Sequence, residues 1–441
     1  WLAKGEAHEA LGHTEDALAA YDAALKLDPR HGAAAARKAA LLVTLERYDD
    51  AVRTYDIALE ADPASAALWL EKGRAQYRLK AFADAVESLE RATRYAPGDV
   101  KAWYVLGLAL DGAKRYEQAV TAFERVIQID ASTAKAWLGK GTALHWLKRY
   151  EEAAAAYAQA ASLDPMMTPA LLKQGACLLE LHRYEEALPV YETVLARDPK
   201  DRVALAGVCD AFEALGRTKE ALDATIRLTS VEAKDPEAWA RRARLARVAG
   251  EGREALTAIT RAVALAPNRA DYLRAKRDLL LLHESYRAAV DAGERLLEID
   301  PRDTDAMRGK ALALERIGKT DAALEEIEHA ARVDPMDRRT WNAKGAALVR
   351  IGRREEALQA FDHTLSLNPG DRVALVAKGR LLYSLGRVAD ALHVFEDGLL
   401  LDHENLEFLN GRAMCLAHDG HFDDALSIVT FVFQKDPNNY D

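Results

Sequence analysis

The hydrophobic pattern of the chain is dominated by one alanine that returns at every thirty-fourth residue. A proline follows this alanine by twelve residues in ten of thirteen repeats, and Ala131, Ala233 and His403 occupy the proline position in the others. The 441 residues therefore divide into thirteen consecutive repeats without a net insertion or deletion. The alanines are Ala17, Ala51, Ala85, Ala119, Ala153, Ala187, Ala221, Ala255, Ala289, Ala323, Ala357, Ala391 and Ala425.

The pattern within a repeat predicts two helices. Apolar and small residues spaced i, i+4 and i+7 share one helical face, and two such sets occur in a repeat. A polar turn separates them, and the Asp164–Pro165 pair ends the second helix, because the residue before proline is pushed out of the helical conformation. In this repeat the two sets are Trp137, Gly141 and Leu144, then Ala153, Tyr157 and Ala160.

Besides the alanines and prolines, two further sets recur in register: the pairs Trp1/Gly5, Trp69/Gly73, Trp103/Gly107, Trp137/Gly141 and Trp341/Gly345, and the aromatics Tyr21, Tyr55, Phe123, Tyr157, Tyr191, Phe361 and Phe395. These residues resemble the tetratricopeptide repeat (TPR) family over essentially the whole chain. The resemblance implies an all-α fold, a right-handed α-α superhelix of antiparallel helix pairs whose first helices line a concave groove. It also implies a single TPR array over residues 1–441 that binds proteins or peptides.

Two departures from the pattern predict an irregular joint between residues 229 and 295. The first is the missing terminator at Ala233, with proline shifted to Pro236. The second is Arg277, a large cation at a position that otherwise holds glycine or alanine, in a repeat that has Gly293 in place of an aromatic residue. We expect altered curvature or a softer interface there.

The two ends of the sequence show no polar capping helix. Repeat arrays bury apolar surface only against their neighbours and normally finish with such a helix. The sequence starts inside a repeat and stops at Asn438, Asn439, Tyr440 and Asp441, where a further repeat would begin. We therefore expect either end-to-end self-stacking between copies or cover from residues outside this sequence.

Charge and composition exclude several classes of partner. The net charge of -10, from 60 basic and 70 acidic residues, gives no overall cationic field, so no nucleic-acid partner is expected. No run of 18 or more uncharged apolar residues occurs, so no membrane span is expected. The scattered Cys177, Cys209 and Cys415 do not form a disulfide framework, which favours a reducing compartment and a cytoplasmic location.

Candidate catalytic chemistry is sparse. The sequence has no phosphate-binding loop with its lysine, no HExxH, no GxSxG and no CxxC. The best metal-like cluster, around His418 and His421, falls on a polar turn and is interpreted as solvated surface. We therefore predict a non-enzymatic protein with no catalytic residues, no metal ligands and no cofactor.

A column of lysines occupies one position, three residues after the tryptophan position. We interpret it as structural, with the stem packed between helices and the ammonium reaching water or a carboxylate. A ligand-binding ladder is the alternative. The lysines are Lys4, Lys38, Lys72, Lys140, Lys276, Lys310, Lys344 and Lys378, and the proposed partners, ten residues earlier, are Asp28, Asp62, Asp130, Asp300 and Asp334.

The face rotated by about 100° from the packing face supplies the candidate binding residues. In the TPR family this face looks into the groove. Trp146 is the only tryptophan outside the repeating position, which makes it a candidate anchor, because stiff aromatic groups are preferred at binding sites. Packing of Trp146 on the neighbouring repeat is the alternative. The apolar candidates are Tyr77, Tyr104, Leu138, His145, Trp146, Leu172 and Leu179.

Farther along the chain the same face becomes cationic, interrupted by Asp278 and Glu315. Guanidinium groups bind carboxylates in a bidentate manner, so this stretch predicts recognition of acidic residues, with solvated surface charge as the alternative. The candidate arginines are Arg244, Arg247, Arg274, Arg308 and Arg316.

Together these patterns predict a scaffold or adaptor whose groove binds a protein or peptide segment carrying apolar and acidic residues. The alternative is that the array is the recruiting or regulatory region of a larger enzyme, such as a glycosyltransferase.

Overall fold

The computed structural model describes residues 1–435, and every regular element in that range is an α-helix. The predicted all-α fold of helix pairs is confirmed. The chain divides into two compact blocks, an N-terminal block of residues 1–231 and a C-terminal block beginning at Glu232. The end residues Asn438, Asn439, Tyr440 and Asp441 lie outside the described range, and the single array and the irregular joint at 229–295 stay predictions.

Each repeat supplies one helix pair, in which we call the odd-numbered helix A and the even-numbered helix B. The N-terminal block contains α1 (Leu2–Ala10), α2 (Thr14–Leu27), α3 (Gly32–Thr44), α4 (Tyr48–Ala61), α5 (Ala66–Arg78), α6 (Phe82–Tyr95), α7 (Val100–Gly112), α8 (Tyr116–Ile129), α9 (Ala134–Trp146), α10 (Tyr150–Leu163), α11 (Thr168–Glu180), α12 (Tyr184–Leu195), α13 (Arg202–Ala214) and α14 (Thr218–Val231).

The C-terminal block continues the same alternation. Its helices are α15 (Pro236–Val248), α16 (Gly252–Leu265), α17 (Ala270–Leu282), α18 (Tyr286–Ile299), α19 (Thr304–Arg316), α20 (Thr320–Val333), α21 (Arg338–Arg350), α22 (Arg354–Leu367), α23 (Arg372–Ser384), α24 (Val388–Leu401), α25 (Leu406–His418) and α26 (Phe422–Lys435).

Helices A and B of one repeat approach closely at a small residue. A Cβ added to Gly141 of α9 would lie 2.7 Å from the Tyr157 ring of α10, so the ring fills the space that a side chain would need. Tyr157 and the repeating Ala153 are fully buried. The pair of a small and a large residue sixteen positions apart therefore fixes the distance between the two helices.

The repeat around Arg277 fills the same space with a different side chain. Arg277 is only 5% exposed, and its guanidinium forms ion pairs of 2.8 Å with Asp278 and Asp305. A Cβ on Gly309 would meet this guanidinium, whereas at the equivalent Gly139 it would meet the ring of Phe123. The planar guanidinium thus occupies the place of the ring that Gly293 cannot supply.

The repeating tryptophan holds the preceding loop. In Trp69, Trp103 and Trp341 the indole Nε1 donates a hydrogen bond of 2.8 to 2.9 Å to the carbonyl of the repeating proline six residues earlier. A cation three residues after the tryptophan lies over the ring, as Lys72 does at 5.2 Å over Trp69. The tryptophan therefore joins a helix start to the loop that precedes it.

Six of the eight lysines in the column form ion pairs with carboxylates, which supports the structural interpretation. Lys38 Nζ lies 2.5 Å from Asp22 Oδ1, and Lys140 Nζ lies 2.8 Å from Glu124 Oε1. Each partner belongs to helix B of the preceding repeat, sixteen residues before the lysine. The partners expected ten residues earlier are therefore wrong, because most of these aspartates accept a backbone N–H of their own turn: Asp28, Asp130, Asp300 and Asp334 do so.

The turn between helices A and B has the same left-handed backbone in every repeat. In the fifth repeat the Lys148 N–H donates to the His145 carbonyl and the Arg149 N–H to the Leu144 carbonyl, which is the Schellman pattern. The central residue has a positive φ, 59° at Lys148. Glycine holds this position in seven repeats, and Glu46, Lys80, Lys114, Lys148, His182 and Glu284 hold it in the other six.

Helices A form the more closely spaced row in each block. In the N-terminal block α5 contacts α7 and α7 contacts α9, and in the C-terminal block α19 contacts α21 and α21 contacts α23. No two consecutive helices B make a comparable contact within residues 1–435. Because the inner side of a curved stack is its more crowded side, helices A provide the inner face of each block.

Gly141→Ala should lower the free energy of unfolding by about 1 to 3 kcal/mol, because the new methyl group would overlap the Tyr157 ring. Urea denaturation of the intact chain measures the change. Gly98→Ala is the control, since no atom lies within 4 Å of the Cβ added there. Equal stability of the two variants would contradict the close approach.

Lys148→Gly should raise the free energy of unfolding by about 0.5 to 1 kcal/mol, because glycine adopts a positive φ without strain. Gly216→Lys is the reciprocal change at the same turn position and should lower it by a similar amount. The midpoints of thermal unfolding should move in opposite directions, and a shift of both variants in one direction would contradict this account of the turn.

Candidate protein-binding surfaces

The last residue of α9 has an exposed aromatic side chain. Trp146 is 60% exposed, and its ring stacks on Tyr116 of α8 with a centroid distance of 5.9 Å and an interplanar angle of 12°. Packing on the neighbouring repeat, the alternative from the sequence, therefore covers one face of the indole. The rest of the ring remains open to solvent.

His145 links this tryptophan to the next helix A. Its Nδ1 lies 3.4 Å from Cys177 Sγ on α11, and its ring meets Tyr150 edge-on at 5.4 Å. Burial and the nearby Lys173 lower the pKa of His145, which favours the neutral imidazole. Burial also raises the pKa of Cys177 to about 11, so this thiol stays protonated and acts as a small buried residue.

The other apolar candidates are half-buried. The Tyr77 ring packs on Phe82 at 5.7 Å, and the Tyr104 ring meets Phe123 edge-on at 6.0 Å. These rings already contribute to the core and present only part of their surface. Half-buried aliphatic groups complete the set: Leu138, Leu172 and Leu179.

Among the candidate arginines, Arg274 and Arg308 hold carboxylates of this chain. Arg274 Nη2 lies 2.6 Å from Asp303 Oδ2, and Arg308 lies 3.3 Å from Asp305 and 3.6 Å from Asp337. These two side chains are therefore not open cations awaiting a ligand. Arg244, Arg247 and Arg316 are exposed.

The ion pairs of Arg274 and Arg308 belong to a series of contacts that recurs at intervals of one repeat. Asp303, Asp337 and Asp371 are the N-caps of α19, α21 and α23 and accept backbone N–H groups of those helices. Each also contacts a side chain twenty-nine residues earlier, on the preceding helix A, and the third such side chain is Asn342, which donates to Asp371. We call these contacts the cap ladder, and they join consecutive helices A.

A pocket of about 590 Å³ lies on the inner face of the C-terminal block, between α21, α23 and α25. Val373, which is 64% exposed, contributes to its apolar lining. The polar lining consists of Arg350, Arg372, Arg380, Ser384 and Glu407. The cationic face seen in the sequence extends to Arg380, which lines this pocket, but the apolar lining was not predicted. The available signal was weak: charged residues hold the equivalent position in seven other repeats, but Val203 is also valine and exposed at that position.

The final helix pair also exposes apolar side chains. Phe422, Leu426 and Val429 share one face of α26 and line a pocket of about 450 Å³ with Met414 of α25. End-to-end stacking of copies stays a prediction.

Comparison with protein-family models agrees with this helix-pair architecture. One tetratricopeptide repeat model matches residues 36–91, 82–133, 113–166, 308–372 and 376–429, which is more than half of the chain. Two other tetratricopeptide repeat models match residues 178–245 and 1–31. The chain belongs to the tetratricopeptide repeat family.

Solved structures similar to this TPR chain have low sequence identity. The Naa15/Naa10 complex bound to HypK-THB is 18% identical, with a TM-score of 0.42, over 98% of this chain and 74% of that chain. YrrB, described as a TPR protein with an unusual peptide-binding site, is 21% identical, with a TM-score of 0.39, over 42% of this chain and 96% of that chain. MamA is 23% identical, with a TM-score of 0.35, over 36% of this chain and 94% of that chain. No curated protein matches this chain.

Among the described residues of this TPR chain, no helix has the length and apolar character needed to cross a bilayer.

Asp303→Asn should lower the free energy of unfolding at pH 7 by about 1 kcal/mol, a modest effect because Arg274 is partly solvated. Asparagine remains a good N-cap, so mainly the charge is lost. Burial raises the pKa of Asp303, but the Ala306 amide and Arg274 outweigh burial and bring it below its usual value. The contribution of this carboxylate is therefore present above the unfolded pKa and lost as pH falls through the folded pKa.

The free energies of unfolding of wild type and Asp303→Asn should therefore become more alike as the pH is lowered from 7 towards 2.5. Urea denaturation at a series of pH values measures this difference. Asp223→Asn, at an exposed position on α14, is the control and should change little at either pH. A difference that is constant over this range would contradict the pairing of Asp303 with Arg274.

Proposed function

We propose that this TPR protein is a non-enzymatic scaffold that binds a segment of another protein on the inner faces of its helices A. The observation that carries the proposal is the pair of apolar surfaces that internal packing leaves open, the indole of Trp146 and the pocket around Val373. Large apolar groups that remain exposed in a concave surface are typical of binding sites.

A rigid surface of this kind reduces the entropic cost of binding. Trp146 has one ring face fixed against Tyr116, so little side-chain freedom remains to be lost. The pocket around Val373 is held by three packed helices. The partner then carries most of the ordering cost, which suits an extended or helical segment of a flexible chain.

The charge at the Val373 pocket favours acidic partners. Arg350, Arg372 and Arg380 contribute to its lining together with Glu407, and Arg350 also forms an ion pair with Glu315 of α19. These arginines attract a segment that places an apolar side chain in the pocket and Asp or Glu beside it. The proposed partner is therefore a protein or peptide with apolar and acidic residues, recognised in the cytoplasm.

Trp146→Ala and Val373→Asp should each weaken capture of partner proteins by about tenfold or more, as expected for truncation or charging of a central anchor. The measurement is quantitative mass spectrometry of proteins retained from native lysate by the purified chain. Tyr95→Ala and Leu400→Asp are matched controls, because both residues are exposed on helices B.

The two control variants should retain the same partners at wild-type levels. Circular dichroism of all four variants checks that the helices are intact. Retention of every partner by both Trp146→Ala and Val373→Asp would contradict the assignment of the inner faces, and equal losses in variants and controls would do so as well.

A further inference from the structure

The turn of the first helix pair brings together three side chains that can bind a metal ion. His8 lies in the last turn of α1, His13 is the N-cap of α2 and Asp16 lies in the first turn of α2. One ligand atom from each residue lies within 4.8 Å of the other two. The two imidazole centroids are 5.8 Å apart, and His8 Nδ1 is 4.0 Å from Asp16 Oδ2. The cluster lies outside both surfaces proposed for protein binding.

The backbone of the turn explains why these side chains meet. The His13 N–H donates to the His8 carbonyl at 2.9 Å, as in the Schellman turns of the other repeats. This bond places the side chains of the two residues next to each other. Asp16 follows His13 by three residues, and in the other repeats the same spacing allows a direct ion pair, as between Arg149 and Glu152 at 2.6 Å.

The first repeat differs from most of the others at two of these three positions, although His421 of the last repeat matches His13. Leucine holds the position of His8 in nine of the other twelve repeats, as at Leu144. Arginine holds the position of His13 in seven, as at Arg149. The acidic residue is retained. In many other repeats this turn packs a leucine and forms an arginine–carboxylate pair. In the first repeat the same positions hold two imidazoles and a carboxylate.

A second observation concerns a ring nitrogen of His8. His8 Nδ1 is buried from solvent and has no hydrogen-bond partner. A buried polar atom left without a hydrogen bond is costly, and such atoms usually have a partner in the protein, an ion or water. The nitrogen faces the carboxylate of Asp16 at a distance longer than a hydrogen bond.

We propose that His8, His13 and Asp16 form a binding site for a divalent transition metal ion, of which Zn²⁺ is the best match. Two imidazoles and one carboxylate are the donors that this class of ion selects, whereas Ca²⁺ and Mg²⁺ need more oxygen ligands. Donors around tetrahedral zinc lie about 3.4 Å apart, so small side-chain rotations close the remaining gap. Water completes the coordination.

A metal at this position links the end of α1 to the start of α2. The three ligands come from both helices and the turn between them, so the bound ion would stabilise the first helix pair against opening. Binding would raise the apparent stability by mass action, as for any ligand that prefers the folded state.

The test is titration of the full chain, produced without a polyhistidine tag, with Zn²⁺ in a calorimeter. Co²⁺ is the spectroscopic probe, because its visible absorption reports a low-coordinate site with nitrogen and oxygen donors. Wild type should bind one ion with highest affinity, and the midpoint of thermal unfolding should rise with Zn²⁺. Ca²⁺ and Mg²⁺ at the same concentration should not compete.

Two variants remove ligands while restoring residues that other repeats use. His8→Leu restores the common packing residue, and His13→Arg restores an arginine able to pair with Asp16. Each should therefore fold, and each should weaken Zn²⁺ binding by about tenfold or more, since loss even of residues that only orient a ligand costs about 10 to 100-fold. The Zn²⁺-dependent shift of thermal unfolding should disappear.

The control is the double variant His418→Ala/His421→Ala, which removes the histidine pair on the turn of the last helix pair. It should bind Zn²⁺ as wild type does. Unchanged binding in both His8→Leu and His13→Arg, or loss of binding only in the control, would overturn the proposal, as would the absence of any binding to folded wild type.

Discussion

The close approach of two helices across a small residue is the constraint on which the rest of the structure depends. Where Gly141 faces Tyr157, the absence of a side chain on one helix makes room for a ring on the other. A repeat cannot bury its apolar face alone, so each helix pair also packs on the next. In the repeat with Arg277 and Gly293 the large and small residues change places. The space between the two helices is still filled there, by a buried guanidinium in place of an aromatic ring.

The sequence was sufficient to predict the helix pairs and the family, because a thirty-four-residue period repeats the same local signals thirteen times. Glycine and proline mark the ends, and apolar spacing marks the packed faces. Partners of individual charges were harder to predict. Lys38 pairs with Asp22 of the preceding helix B, and not with Asp28, since the choice depends on side-chain direction between helices and not on distance along the chain.

The candidate site was predictable only in part. Trp146 could be singled out, because no packing position of the repeat explains it, but its stacking on Tyr116 required the structure. The role of Arg274 was hidden for a different reason. Its carboxylate partner Asp303 is also a helix cap, and a sequence does not reveal that one aspartate serves both purposes. The pocket at Val373 arises from three helices, none of which is unusual alone.

The cap ladder limits what an acidic partner can gain on the inner face of the C-terminal block. A carboxylate that approached Arg308 would compete with Asp337, which also secures the first turn of α21. The exchange would replace one ion pair with another of the same kind and would release a helix end, so its net free energy would be small. Selectivity for acidic sequences must then come from guanidinium groups outside the ladder, while those within it govern how firmly neighbouring repeats are aligned.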